Sequence, residues 1–216
     1  METNGVIGVK KVYHLCGSPT SDFFFKLSMI YSKDVICPPG WQQSFIVIKP
    51  DNQWFYGEDL DLLAPREVIQ ILAALEEDAL IVPHMFCKTG MTLYRHFFHE
   101  QLGFPMVGSL AETMKTSMDK SLTRNLVSQN GVTVAPGELL SCGDKPTIPY
   151  PFMVKPNSED NSSGVSLVED EKTLDYALEV AFKMDAEVLI EAFIPGRELR
   201  IAVIELDNDF YVPSII

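Results

Sequence analysis

Long apolar runs, paired cysteines and a surplus of positive charge are all missing from this sequence. No apolar stretch approaches the roughly 18 residues that a membrane-spanning helix needs. The four cysteines, Cys16, Cys37, Cys87 and Cys142, are far apart and form no CxxC pair. That spacing suits neither a zinc site nor a dense disulfide frame, and predicts reduced thiols. The segment METNGVIGVKK lacks the apolar core of a secretory signal. These absences together predict a soluble, cytoplasmic protein. Seventeen Lys and Arg stand against thirty Asp and Glu, a net charge of −13. Neither nucleic acid nor an anionic membrane is an expected partner, because sequence-independent binding to either needs a basic surface. A small nucleotide remains compatible, since it needs only local positive charge.

What is present is alternation. VYHLC (12–16), SFIVIK (44–49), ALIVP (79–83) and FPMVG (104–108) read as buried strands. Between them SDFFFKLSMIYSKD, PREVIQILAALEED (65–78) and TLYRHFFHEQLG (92–103) read as helices. This βαβ rhythm predicts an α/β fold with a parallel sheet, whose ligands gather at the carboxyl ends of its strands. Beyond residue 108 the rhythm changes. SLAETMKTSMDKSLTRNLVSQNG predicts two short helices, with Ser117 as an N-cap and Gly131 at the C′ position. Short strands near 132–135, 151–155 and 164–168 follow, then a helix over DEKTLDYALEVAFKMD and strands in EVLIEAFI and GRELRIAVIEL. The expected domains are therefore 1–108 and 109–216, the second an α+β unit.

Three segments carry possible chemistry. In PFMVKPNSEDNSSGVSLV (151–168), an apolar strand delivers Lys155 to a loop of small polar residues. An unpaired ammonium is costly in an apolar setting, whereas hydroxyls, amides and free N–H groups suit phosphate. The loop fits a solvated surface hairpin as well. In VLIEAFIPGRELRIAVIE (188–205), Glu191 ends an apolar strand and Glu198 lies across a Pro-Gly turn. Carboxylates so placed can accept from ribose hydroxyls, or simply flank a hairpin. In SMDKSLTRNLV, Lys120 opens a helix, where a solvated lysine is common.

Taken in order, Lys120, Lys155 with its loop, Glu191 and Glu198 resemble the ATP-grasp superfamily, and within it the D-alanine–D-alanine ligase-like group. MDK, VKP with its serine-bearing loop, EAFIPGRE and PHMFCKTGMTLYRHFFHEQLGFPMVGS carry the likeness across the chain. The resemblance implies a pre-ATP-grasp N-terminal domain and an ATP-grasp subdomain, with ATP and Mg2+ as cofactors and small-molecule substrates. It implies that Lys120 and Lys155 hold ATP phosphates, with Ser162, Ser163 and Gly164 in a loop that closes over them. Lys155 and Ser162 would be the catalytic pair. Glu191 and the backbone at Phe193 and Ile194 would hold adenine, and Glu198 the ribose. His84, Asn161 and Asp22 are the expected acceptor-side contacts. A homodimer is a possible assembly.

The loop departs from the dipeptide-ligase pattern, since DNSSG places Asp160 and Asn161 where a glycine and a serine are expected. HLCGSPTSDFF, PHMFCKTGMTLYR, APGELL and KPNSEDNSSGVSLV resemble the ligases that complete mycosporine-like amino acids. The expectation is therefore ATP-driven joining of mycosporine-glycine to serine, threonine or a similar amino acid. A D-alanine–D-alanine ligase is the alternative, and a non-catalytic nucleotide-binding module the alternative of another class. The resemblance places the magnesium ligands and catalytic arginine beyond residue 216, so the chain is expected to be a fragment, inactive alone. His96 and His99 lie three apart but not in an H-E-x-x-H order, which gives them little claim as metal ligands. The sequon at 161–163 and the run Phe23–Phe25 are expected to be coincidence and helix packing.

Overall fold

The computed structural model describes residues 10–206 and 209–213. The chain divides into two compact units, Met1–Thr123 and Arg124–Ile216.

In the first unit β1 (Lys10–Gly17) leads through Ser21, whose hydroxyl accepts from Phe24 N–H, into α1 (Asp22–Tyr31). β2 (Trp41–Ile48) pairs parallel to β1. The chain then reverses through Asn52, which takes a φ of +60°, a conformation that Asn tolerates. It returns antiparallel as β3 (Trp54–Gly57) and the two-residue β4 (Ala64–Pro65). After α2 (Val68–Ala73) comes β5 (Leu80–Pro83), parallel to β1 on its other side. The sheet order is β4-β3-β2-β1-β5. Its parallel centre agrees with the βαβ reading, and the antiparallel hairpin at one edge is an addition.

Two further expectations change. The helix over 92–103 is π-helical, in stretches Gly90–Tyr94 and His96–Gln101. Residues 104–108 contribute only a bridge between Met106 and Ile81. Alternation along β1 explains the packing. Tyr13 and Leu15 join Ile46, Ile48, Trp54, Ile81 and Phe98 in one core, while Cys16 packs with Phe45 and Val47 under Phe25 and Met29 of α1. The aromatic run is thus mainly helix packing: Phe24 and Phe25 reach these two cores and Phe23 stays exposed.

α3 (Ala111–Met118) and α4 (Lys120–Gln129) lead toward the second unit, and the division falls within α4. Ser117 is not the cap: its hydroxyl donates to Thr113 O within α3. The cap is Asp119, whose carboxylate accepts from Leu122 N–H and the Ser121 hydroxyl. Gly131 does end α4 at C′. Its N–H donates to Ser128 O and that of Val132 to Val127 O, the Schellman pattern.

The second unit is an antiparallel sheet, β6 (Gly137–Ser141), β7 (Phe152–Pro156), β8 (Ser166–Val168) and β9 (Glu187–Ala192), in the order β6-β9-β7-β8. α5 (Glu171–Phe182) covers one face and buries Leu174, Ala177 and Ala181 on Phe152, Val154, Val168, Val188 and Ile190. The first strand lies five residues later than its expected start near 132. The strand expected in GRELRIAVIEL reduces to β10 (Ile204–Leu206), paired with β11 (Asp209–Tyr211). No helix among the described residues is long and apolar enough to cross a membrane.

Candidate nucleotide site

Strand alternation decides where Lys155 points. Phe152 and Val154 of β7 are fully buried beneath α5, so Met153 and Lys155 face the opposite side of the sheet. In the antiparallel register Met153 lies opposite Glu191 and Lys155 opposite Leu189, which makes Lys155 and Glu191 diagonal neighbours on that second face. Lys155 Nζ stands 2.5 Å from Glu191 Oε2. The other carboxylate oxygen lies 3.2 Å from Nε of Arg124, in α4. This second approach is a charge contact, for Arg124 Nε itself lacks a well-aimed hydrogen-bond acceptor. The guanidinium donates instead from Nη2 to Ala135 O. Gly137 leaves the room this requires: a Cβ there would come within 3.1 Å of both Arg124 Nη1 and Glu191 Cγ.

The side chains of Arg124, Glu191 and Lys155 are 15%, 16% and 27% exposed, so water screens the three only partly. Two cations share one carboxylate. The face is locally positive in a chain of net charge −13, and it fits an anionic ligand.

Past Pro156 the chain leaves β7 for a polar loop. Ser163 N–H donates to Asp160 O, and the residues between them, Asn161 and Ser162, have φ of +52° and +59°. Such a left-handed turn suits Asn better than Ser. Asn161, Ser162 and Ser163 are exposed. At the far end of β9, Ala192 N–H donates to Pro136 O and Phe193 N–H to Pro151 O, while the Phe193 and Ile194 side chains are exposed. Glu198 is exposed and lies 3.7 Å from Arg200.

The remaining expected residues belong to the first unit. Lys120 is the first residue of α4 and half-buried. Asp22 is exposed in the first turn of α1. His84 follows β5, its backbone N–H donating to Leu15 O. His84 Nε2 lies 3.0 Å from Nδ1 of His14, a residue that the sequence reading passed over. His14 is 2% exposed, and burial, with His84 beside it, holds its pKa down at about 4. Burial lowers that of His84 too. The other histidines turn elsewhere, His96 to Glu100 and His99 to Phe104 O. Among the described residues no group of three or more His, Cys, Asp or Glu gathers as metal ligands.

Sequence reasoning also missed Arg124. A signal existed, since Arg124 is four residues after Lys120 and shares its helix face.

The fold that carries this arrangement is shared with solved D-alanine–D-alanine ligase structures. More particularly, residues 138–215 match the family described as D-ala D-ala ligase C-terminus. The D-alanine–D-alanine ligase of Geobacter sulfurreducens is 34% identical over 111 residues, 49% of this chain and 35% of that protein. The vancomycin B-type resistance protein VanB of Enterococcus faecalis is 35% identical over 119 residues, 54% and 35% of the two chains. Among solved structures, the VanG D-Ala:D-Ser ligase from Enterococcus faecalis superposes with a TM-score of 0.79 at 24% identity, covering 95% of this chain and 68% of that one. The Bacillus anthracis D-alanine–D-alanine ligase complexed with ATP gives 0.67 at 18% identity, covering 94% and 69%. The match thus spans about a third of those curated relatives' length. The sequence match to the ligase family thus covers residues 138–215, and the likeness of fold covers 95% of the chain.

One expectation is overturned here. The relatives are named D-alanine–D-alanine ligase or vancomycin resistance protein, and none points to mycosporine-like amino acids.

Proposed function

We propose that this chain is the nucleotide-binding part of a cytoplasmic ATP-dependent ligase joining D-alanine to a second D-alanine. The observation that carries the proposal is the Arg124–Glu191–Lys155 cluster, whose Lys155 and Glu191 lie within residues 138–215, the region matched to the ligase family. Residues 1–108 would serve as the pre-ATP-grasp domain and 109–216 as the start of the ATP-grasp region. Lys155 and Lys120 would hold phosphates as point charges. Ser162, Ser163 and Gly164 would cover them and exclude water. Because the Phe193 N–H is already engaged by Pro151 O, the donor left to adenine at this hinge is the Ile194 N–H, with the Phe193 carbonyl as acceptor. Glu198 would accept from ribose hydroxyls, and Asp22, His84 and Asn161 would meet the amino acids. Magnesium bound with the nucleotide would supply neutralisation of the phosphate charge.

In the reaction a D-alanine carboxylate oxygen takes the γ-phosphoryl group, releasing ADP. The amine of the second D-alanine then attacks the acyl carbon, loses a proton and expels phosphate. Lys155 stabilises charge during the transfer.

Titration of the chain with ATP and Mg2+ tests the nucleotide part, with Lys155→Met expected to weaken binding at least about tenfold. Phosphate release across D-alanine, D-serine and L-serine tests the acceptor part. Release with L-serine but not D-alanine would refute it.

A further inference from the structure

Both ends of the loop that follows Lys155 are held by one short turn, at residues 184–185. At the leading end, Asn157 N–H donates to Glu187 O, and Ser158 N–H donates to Asp185 Oδ2 at 2.6 Å. The other Asp185 oxygen accepts from Glu187 N–H at 3.3 Å. One carboxylate therefore ties the start of the loop to the start of β9. At the trailing end Gly164, with φ of +70°, sits so close to the same turn that a Cβ would lie 2.7 Å from Met184 Sδ and 2.7 Å from Pro156 Cγ. The turn is itself firmly placed, because the N–H groups of Met184 and Asp185 both donate to the carbonyl of Ala181, a fully buried residue of α5. Between the two ends, the hydrogen bonds of Ser163 and Val165 close within the loop, to Asp160 O and Ser162 O.

We propose that Asp185 is a positioning residue for the phosphate-covering loop, a fixed post about which residues 158–164 move while Met184 and Gly164 bear the other end. Asp185 lies at the root of the loop and acts through the Ser158 backbone, without touching nucleotide. The part of the proposal that concerns nucleotide rests on the ligase reading; the anchoring itself does not. A carboxylate accepting from backbone N–H is a charge-assisted bond, stronger than a neutral one. Without it the loop must be ordered from a wider ensemble each time it closes, and affinity falls accordingly.

The test uses Asp185→Ala and Asp185→Asn in this chain, with hydrogen exchange of residues 157–165 measured without nucleotide and ATP binding measured alongside. In Asp185→Ala, exchange in the loop should rise about tenfold while α5 and β9 stay protected, and ATP affinity should fall about tenfold. Asp185→Asn should recover part of both, because its amide oxygen still accepts from Ser158. Unchanged loop exchange in Asp185→Ala would overturn the anchor, and so would a rise that spreads equally through α5 and β9. Faster loop exchange with undiminished ATP affinity would overturn the positioning role. If the unaltered chain fails to bind ATP, the nucleotide reading falls, and the exchange data still decide the anchor. If Asp185→Ala does not fold, Asp185→Asn and Gly164→Ala serve instead. Gly164→Ala should raise exchange from the trailing end, and exchange unchanged in both would sink the idea.

Discussion

Arg124 shows how a single residue ties distant segments of the second unit together. Its guanidinium fills the space beside Gly137, donates to Ala135 O and flanks Glu191. Arg124→Met keeps the stem but leaves the half-buried Ala135 carbonyl without this donor and Glu191 with one cation. The expected loss is about 1 kcal/mol, read from the urea midpoint, the low end of the cost of an orphaned polar group because water still reaches this one. Lys155→Met should cost less stability, since Lys155 is more exposed, yet lose more nucleotide affinity. His14 gives a pH prediction whose sign is fixed by its environment. Its folded pKa of about 4 lies below the ordinary 6.5, so the folded state resists protonation. Stability is therefore full above pH 6.5 and is lost as pH falls from 6.5 toward 4. His84, also depressed, adds in the same direction. The loss from His14 could reach about 3 kcal/mol, at about 1.4 kcal/mol per pH unit. His14→Phe should flatten the fall of the urea midpoint between pH 7 and 5 relative to the unaltered chain; an equal slope would remove His14 from the account.

At the scale of elements, caps and packing separate what local chemistry sets from what neighbours set. Asp119→Ala removes the acceptor for Leu122 N–H at the start of α4 and should cost about 1 kcal/mol in the same urea assay. The π-helical stretches are a different matter. Tyr94 and Phe98 both lie against Trp54, with ring centroids 5.7 and 6.4 Å away, and Phe97 packs beside Phe98. The apolar spacing in TLYRHFFHEQLG was legible as a helix, but nothing local distinguishes a π from an α register there. Phe98 is fully buried, and Phe98→Ala should cost about 3–5 kcal/mol. A loss below about 1 kcal/mol would mean that the Trp54 cluster is not what holds this segment.

At the scale of the whole molecule, ligand linkage ties the site to the fold. A ligand at about 100 times its Kd stabilises the state that binds it by about 2.7 kcal/mol. ATP with Mg2+ should therefore protect the loop and sheet of the second unit from proteolysis, and a tenfold weaker Lys155→Met should cut the stabilisation to about 1.4 kcal/mol at the same ligand concentration. The sequence by itself determined the strand and helix order around β1, α1, β2 and β5, because buried strands and amphipathic helices announce themselves by period. It also singled out Lys155, Glu191 and the serine loop, by residue type and order. It did not determine the acceptor. Only the tertiary structure decided the hairpin of β3 and β4, the shift of the expected strand at 132 to Gly137, and the π register. It alone brought Arg124, Glu191 and Lys155 together, and set His14 on His84 and Asp185 under the loop. These pairs are separated by tens of residues, so no local propensity records them. They exist because strand pairing in a particular register brings distant side chains to one face, where charge and burial then select their partners.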